Sequence, residues 1–317
     1  MELKANAVFE GGGIKGIGIV GALSEAERRG YQWVNVAGTS AGAIIATLIA
    51  AGYKAGEIKE LIFELDYTVF KDQQWLKQVP LIGPALSLWF YNGLYEGNYL
   101  ESWVKEKLAA KGIKTFKDII QKEAGHYPLV IIATDVTRKK LLRMPADLAD
   151  YNLQPEDMEV CKAVRMSAGI PFFYKPVKLA YKFNGRKKIS YIIDGGVLSN
   201  FPVWIFDREG IPLRPTFGFK IIEPNESEFS CLNNPFDYLK AIVSTMLEAH
   251  DKLYELDPKS RVRTISIPSL GIKTTDFEKI NLFKKKLYNS GIEAARQFFD
   301  TWNFESYKLR WYAGLQS

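Results

Sequence analysis

Apolar residues in this chain fall into short runs that alternate with stretches of helical spacing. Ala5 to Phe9 reads as a buried strand, the stretch that follows as a helix to about Arg29, and Trp33 to Ala37 as a second strand. Ala43 to Ala51, apolar and built from small residues, predicts a buried helix. Later runs predict strands at 129–136 and 189–194, with more at 215–222 and 261–267, and residues 235–256 predict a helix. Over about 56–125 the pattern becomes mostly helical and irregular, an insertion into the alternation. Strand and helix in turn favour an α/β sandwich with a mainly parallel central sheet. The 317 residues are 47% hydrophobic, enough for one sizeable core, and no repeat or low-complexity tract divides them. A single domain spanning 1–317 is expected, with the insertion and an aromatic-basic C-terminal segment from about 276 to 317 as its appendages.

The candidate chemistry sits where strands end. Gly38-Thr39-Ser40-Ala41-Gly42 lies between the second strand and its helix, the context that a G-x-S-x-G elbow requires. Such a turn holds its serine in a strained conformation with the hydroxyl raised above the sheet, so Ser40 is a candidate nucleophile. Five small residues that merely close-pack a turn are the plain alternative. Glu10-Gly11-Gly12-Gly13-Ile14-Lys15-Gly16 follows the first strand and opens a helix, where free amides and the positive helix end suit an oxyanion or a phosphate. The segment also fits G-x-G-x-x-G, but a dinucleotide turn needs an acid about 20 residues on to hold the ribose. The serine elbow stands in that place. A phosphate-binding P-loop fails because Ile17 follows Gly16.

Asp194-Gly195-Gly196 ends the strand over 189–193, and in a parallel sheet that end shares a rim with Ser40. An Asp-Gly-Gly turn in which the aspartate caps its own backbone is the competing explanation. A Ser-His-Asp relay needs an imidazole, and the chain has only His126 and His250. His126 precedes the strand at 129, on the wrong rim, and His250 falls inside the helix expected over 235–256. A partly desolvated carboxylate is then the expected base. Asp194 is the first candidate and Asp135, at the end of the 129–134 run, the second.

Taken in order, the Gly11–Gly16 loop, the Gly38–Gly42 elbow and Asp194-Gly195-Gly196 resemble the patatin-like phospholipase family. The likeness covers roughly residues 5–222, including Ala133-Thr134-Asp135 and the run from Arg165 to Phe173. It implies a three-layer α/β sandwich and hydrolysis of fatty-acyl esters by a serine–aspartate dyad. On this chain it implies Ser40 as nucleophile, Asp194 as base and the amides of Gly11, Gly12 and Gly13 as oxyanion hole. Lys15, Gly16, Gly38, Gly42 and Gly195 are the supporting motif residues. Many relatives carry aspartate and arginine where this chain has Glu10 and Lys15; a lysine there is a point charge without the guanidinium's two-pronged contact. An acyltransferase or thioesterase on the same dyad, or a lipid-binding protein without turnover, are the alternatives the motifs leave open.

No metal or organic cofactor is expected, since no His/Cys cluster has ligand spacing and the acids form no EF-hand loop. The expected partner is a phospholipid or other acyl-ester lipid met at a membrane surface. Two segments are candidates for that meeting. Residues 79–91 are apolar, aromatic and proline-broken, suited to a lid or acyl-chain wall or else to a buried connection. The stretch Phe298 to Tyr312 mixes aromatic and basic residues as interfacial anchors do, with packing against the domain as the simpler alternative. A net charge of +6 favours anionic partners, yet Arg138-Lys139-Lys140, Arg186-Lys187-Lys188 and Lys284-Lys285-Lys286 are short clusters without a nucleic-acid motif. No window reaches the roughly 18 apolar residues of a membrane span. With Cys161 and Cys231 forming no disulfide framework and no apolar stretch before the first loop, a cytoplasmic protein, peripheral at a membrane, is expected.

Overall fold

The computed structural model describes residues 3–65, 93–119, 127–223, 257–272 and 280–312, with the isolated positions 241 and 245. Segment 79–91, both histidines, Cys231 and nearly all of the helix expected over 235–256 lie outside the described residues. The strands are β1 (Leu3–Phe9), β2 (Tyr31–Thr39), β3 (Gly93–Tyr95), β4 (Leu129–Asp135), β5 (Lys140–Met144), β6 (Phe172–Tyr174), β7 (Val177–Phe183), β8 (Arg186–Asp194), β9 (Thr216–Ile222) and β10 (Thr264–Pro268). The helices are α1 (Gly16–Arg28), α2 (Ala41–Ala50), α3 (Ala55–Glu64), α4 (Asn98–Ala109), α5 (Val160–Ser167), α6 (Gly196–Ser199), α7 (Pro258–Val262), α8 (Ile280–Thr301) and α9 (Phe304–Tyr312).

The architecture is a three-layer α/β sandwich. Strands β10, β9, β1, β2 and β4 pair in that order, all parallel, as the alternation of apolar strand and helix predicts. Beyond β4 the direction reverses. Both β5 and β8 pair with β4 antiparallel, and β7 pairs antiparallel with β8. Asn184 (φ 49°) and Gly185 (φ 73°) form the turn that joins β7 to β8, two consecutive positive-φ residues as a tight hairpin demands.

Residue alternation along the strands sends Phe217 and Phe219 to one face of the sheet, where Phe217 meets Tyr31, Phe299 and Trp302, and Gly218 to the other, against Phe201 and Val203. Each such fully buried aromatic contributes about 1.5–3 kcal/mol. α8 crosses α1 on this first face at nearly backbone distance. A Cβ on Gly21 would lie 1.9 Å from the Tyr288 carbonyl oxygen, and one on Gly291 1.8 Å from that of Gly18. Lys284 of α8 donates to the Phe63 and Leu65 carbonyls at 2.8 and 3.1 Å, closing the C-terminal end of α3. One member of the 284–286 cluster is therefore a buried cap rather than a solvated charge. Phe299, Tyr307 and Tyr312 are buried as well, so the C-terminal aromatics pack against the domain instead of standing out as anchors.

Two expected strand limits shift for local reasons. Asp257 caps α7 by accepting Lys259 and Ser260 N–H, and Pro258 suits its first turn, so helix replaces the start of the strand expected at 261. β4 stops at Asp135 because the carboxylate accepts the N–H groups of Thr137 and Arg138 at 2.8 and 2.9 Å, turning the chain.

Candidate active site

Ser40 leaves β2 with φ 53° and ψ −120°, a conformation that L-residues rarely adopt and that costs on the order of 1–3 kcal/mol. The surroundings hold it there. Its N–H donates to Ser167 Oγ at 2.9 Å, and that hydroxyl donates onward to the Ile132 carbonyl at 2.5 Å. Its carbonyl accepts from Ala43 and Ile44, starting α2. Gly42 is obligatory for the close approach of β1, because a Cβ there would sit 2.2 Å from the Phe9 carbonyl oxygen. Gly38 packs on the Gly42 backbone, Gly16 against Ala41, and Gly195 against the Ile132 carbonyl.

The glycine loop runs beside this turn. Gly11 lies against Ser40, and its N–H and C=O form a reciprocal pair with Asn200: the N–H donates to Asn200 O at 3.2 Å, and Asn200 Nδ2 donates to Gly11 O at 3.1 Å. The expectation of three free amides thus fails at Gly11, whose donor is occupied. Gly12 and Gly13 have no N–H partner of this kind among the described residues, and Gly13 takes φ 54°. Both flanks are tied to the end of β9. Glu10 accepts the Ile221 N–H at 2.5 Å, and Lys15 Nζ donates to Glu223 at 2.6 Å. Lys15 thereby anchors the loop through a neighbouring carboxylate.

Asp194 reaches Ser40 by a route that a parallel sheet does not provide. β4 offers one edge to β5 along 131–135, so its other edge is left for both β2, opposite 129–132, and β8, opposite 133–135. Thr39 pairs with Ile132 and Asp194 with Ala133, so two strands running in opposite directions meet end to end on one edge. The two residues do not share a rim as strands of one direction would; the antiparallel hairpin delivers Asp194 from the far side. Its carboxylate is buried, accepting Gly196 N–H through Oδ1 at 2.8 Å, and its own N–H donates to Gly169 O. Burial pushes the Asp194 carboxyl up to about 6, against the Gly196 N–H and the nearby Ser40 hydroxyl, which favour the anion. Although Ser40 acts on this charge, Oδ2 is buried without a fully formed hydrogen bond among the described residues. Catalytic contacts are often this loose before a substrate closes them.

Ser40, Ala41 and Gly13 line a cavity of about 90 Å³ whose remaining wall is apolar, including Ile14, Ile45, Leu65, Leu100 and Trp103. Asp135, the second candidate base, is differently used. Besides the two turn amides it accepts the Tyr151 hydroxyl at 2.6 Å, so both of its oxygens are engaged.

A sequence profile described as Patatin-like phospholipase matches residues 7–207 of this chain. The chain belongs to the patatin-like phospholipase family. Protein YqhO of Bacillus subtilis (strain 168) is 37% identical over 301 residues, covering 94% of this chain and 99% of its own length. A probable lipid hydrolase of Invertebrate iridescent virus 6 is 28% identical over 198 residues, 62% of this chain and 61% of its own. Among solved structures, VipD from Legionella pneumophila shares the fold with a TM-score of 0.56 at 19% identity, over 95% of this chain and 67% of that one.

Within this patatin-like domain two further residues position the site: Ser167, inside the Arg165–Phe173 run that carries part of the likeness, and Asn200, which no motif marks. Ser167 holds the Ser40 amide and, through its carbonyl, the Gly195 N–H at 3.3 Å. Asn200 holds Gly11. Ser167 is the last residue of α5 and Asn200 follows α6, helix ends that no local pattern marks and only tertiary contact makes specific. Cavity size is no guide to the site either. A larger cavity of about 920 Å³ opens at the other end of the sheet, around Asn6, Asn35, Thr216 and Arg263, and contains none of the motif residues.

Proposed function

We propose that this protein is a lipid acyl hydrolase that cleaves fatty-acyl esters of phospholipids or lysophospholipids through Ser40 and Asp194. The observation that carries the reading is the end-to-end meeting of β2 and β8, which leaves a strained serine beside a buried carboxylate with a lifted pKa. Ser40 Oγ attacks the ester carbonyl, and its proton passes to Asp194, the serine–aspartate form of an activated nucleophile. An oxyanion formed at that carbonyl is stabilised by the amides of Gly12 and Gly13 at the entrance to α1, where the helix dipole adds to them. Collapse expels the alcohol, which takes the proton held by Asp194. Water then attacks the acyl-serine, giving a proton to Asp194; the acyl–Oγ bond breaks, the fatty acid leaves, and Ser40 Oγ takes that proton back. The apolar cavity beside Ser40 supports an acyl chain as the group that is held, and family membership together with the viral relative's name supports a lipid as substrate.

The test is acyl release from mixed phospholipid vesicles and from a soluble short-chain ester, comparing native protein with Ser40→Ala. The reading expects release of fatty acid from both and a loss of at least about three orders of magnitude in the variant. A native chain inert on every ester, or a folded variant that retains turnover, contradicts it.

A further inference from the structure

The β7–β8 hairpin has two unlike faces. Leu179, Ser190 and Ile192 are buried on one, with the Tyr181 ring packed 5.0 Å from that of Tyr151. On the other, Lys178, Ala180, Lys182, Lys187, Ile189 and Tyr191 are all exposed. The register sets Lys178 opposite Tyr191, Ala180 opposite Ile189 and Lys182 opposite Lys187. Residues 177–193 hold five basic side chains and no acidic one, against a net charge of +6 for the whole chain.

Two features of this face are unfavourable for an isolated protein. Like charges directly across a strand pair repel, and Lys182 and Lys187 are so placed. Large apolar groups stand in water among the charges: Ile189 is 42% exposed and Tyr191, next to it on the same face, 37%. Val136, whose N–H donates to Tyr191 O at 3.1 Å, continues the apolar strip at 43% exposure. An anionic surface with an apolar interior relieves both penalties, since lysine ammonium groups reach phosphates while their stems and the neighbouring side chains enter the interface. A nucleic acid would relieve only the first.

We propose that the exposed face of the β7–β8 hairpin is the surface by which the protein docks on anionic lipid bilayers. The inference rests on the reading of the protein as a lipid acyl hydrolase, because only a lipid substrate makes such docking useful. β8 ends at Asp194, three residues beyond Tyr191 and so roughly 10 Å along the strand, which keeps the docked face close to the reacting groups.

Sedimentation with phosphatidylcholine vesicles, with or without phosphatidylglycerol, tests the surface, using Ser40→Ala so that the lipid survives. The expected result is binding that needs phosphatidylglycerol and weakens as salt rises. Lys182→Glu should reduce that binding by roughly tenfold or more. The same change faces Glu with Lys187, replacing repulsion by attraction, so thermal stability should hold or rise and loss of folding cannot imitate the effect. Ile189→Ser should reduce binding as well, even at low salt. With Ser40 intact, neither change should alter turnover of a soluble short-chain ester.

Lys182→Glu protein that binds these vesicles like its parent overturns the proposal. So does a native chain that is stripped from them by duplex RNA at low concentration, which would assign the face to nucleic acid. A native chain that sediments with anionic vesicles yet is inert on the ester keeps the docking surface and removes the hydrolase reading.

Discussion

Asp135 and Asp194 close two neighbouring strands, each follows an apolar run, and each is almost fully buried. Their surroundings differ in one respect that decides what each can do. Asp135 accepts two turn amides and a tyrosine hydroxyl, which leaves both oxygens engaged in holding the β4–β5 turn. Among the described residues, Asp194 accepts one amide at 2.8 Å, and its second oxygen is buried beside Ser40 without a fully formed bond. A carboxylate surrounded by donors fixes a turn, whereas one buried with a lone pair to spare has its pKa lifted and can take a proton. Burial alone therefore does not separate a candidate base from a turn-holding acid; the count and direction of the donors do.

Substitution separates the two most widely. Asp194→Asn should lower turnover of a soluble ester by roughly 10²–10⁴-fold. Asp135→Asn should leave turnover within a few-fold while lowering stability by about 1–3 kcal/mol, read by denaturant titration. Ser167→Ala sharpens the contrast from the serine side. It removes the acceptor of the Ser40 amide and should reduce kcat by roughly 10–100-fold through misplacement of the hydroxyl, with a smaller change in KM.

Stability against pH gives a second test of Asp194. With its carboxyl raised from 3.8 to about 6, Asp194 binds a proton more readily folded than unfolded. Stability on its account is therefore highest below about pH 4, falls between about 4 and 6, and is lower above that by an order of about 3 kcal/mol. Asp194→Asn lifts this penalty, so at pH 8 the inactive variant should be the more stable by about 1–3 kcal/mol, with the difference fading toward pH 4. The smallest effect is at the structural acid's partner. Tyr151→Phe should cost about 1 kcal/mol and leave turnover unchanged.

Much of this contrast was legible in the order of residues. The apolar runs predicted the parallel half of the sheet, and the glycine loop, the serine elbow and Asp194-Gly195-Gly196 carried the family. The pairing of Asp194 with Ser40 was expected for a reason that the structure replaces. Reading the strand that ends at Asp194 as one of the parallel strands puts both residues on one rim, although Asn184-Gly185 between two strand-like runs signals a hairpin and hence an antiparallel β8. That β2 and β8 then divide one edge of β4 is a matter of register, which no local pattern encodes. Gly11 and Asp135 illustrate the same limit. Sequence spacing offers an amide and a carboxylate to the chemistry, but the Gly11 amide donates to the Asn200 carbonyl and the Asp135 carboxylate accepts the Tyr151 hydroxyl.

The most direct test of the account is the rate at which a fluorophosphonate labels Ser40, followed against pH in native protein, Asp194→Asn and Asp135→Asn. Labelling reports activation of the serine without requiring the right lipid. The account predicts that native and Asp135→Asn protein label at similar rates, rising with pH through about 6, and that Asp194→Asn labels at least about a hundredfold more slowly above that pH, the gap narrowing as pH falls toward 4. Equal labelling of Asp194→Asn and native protein, or a loss confined to Asp135→Asn, would contradict it.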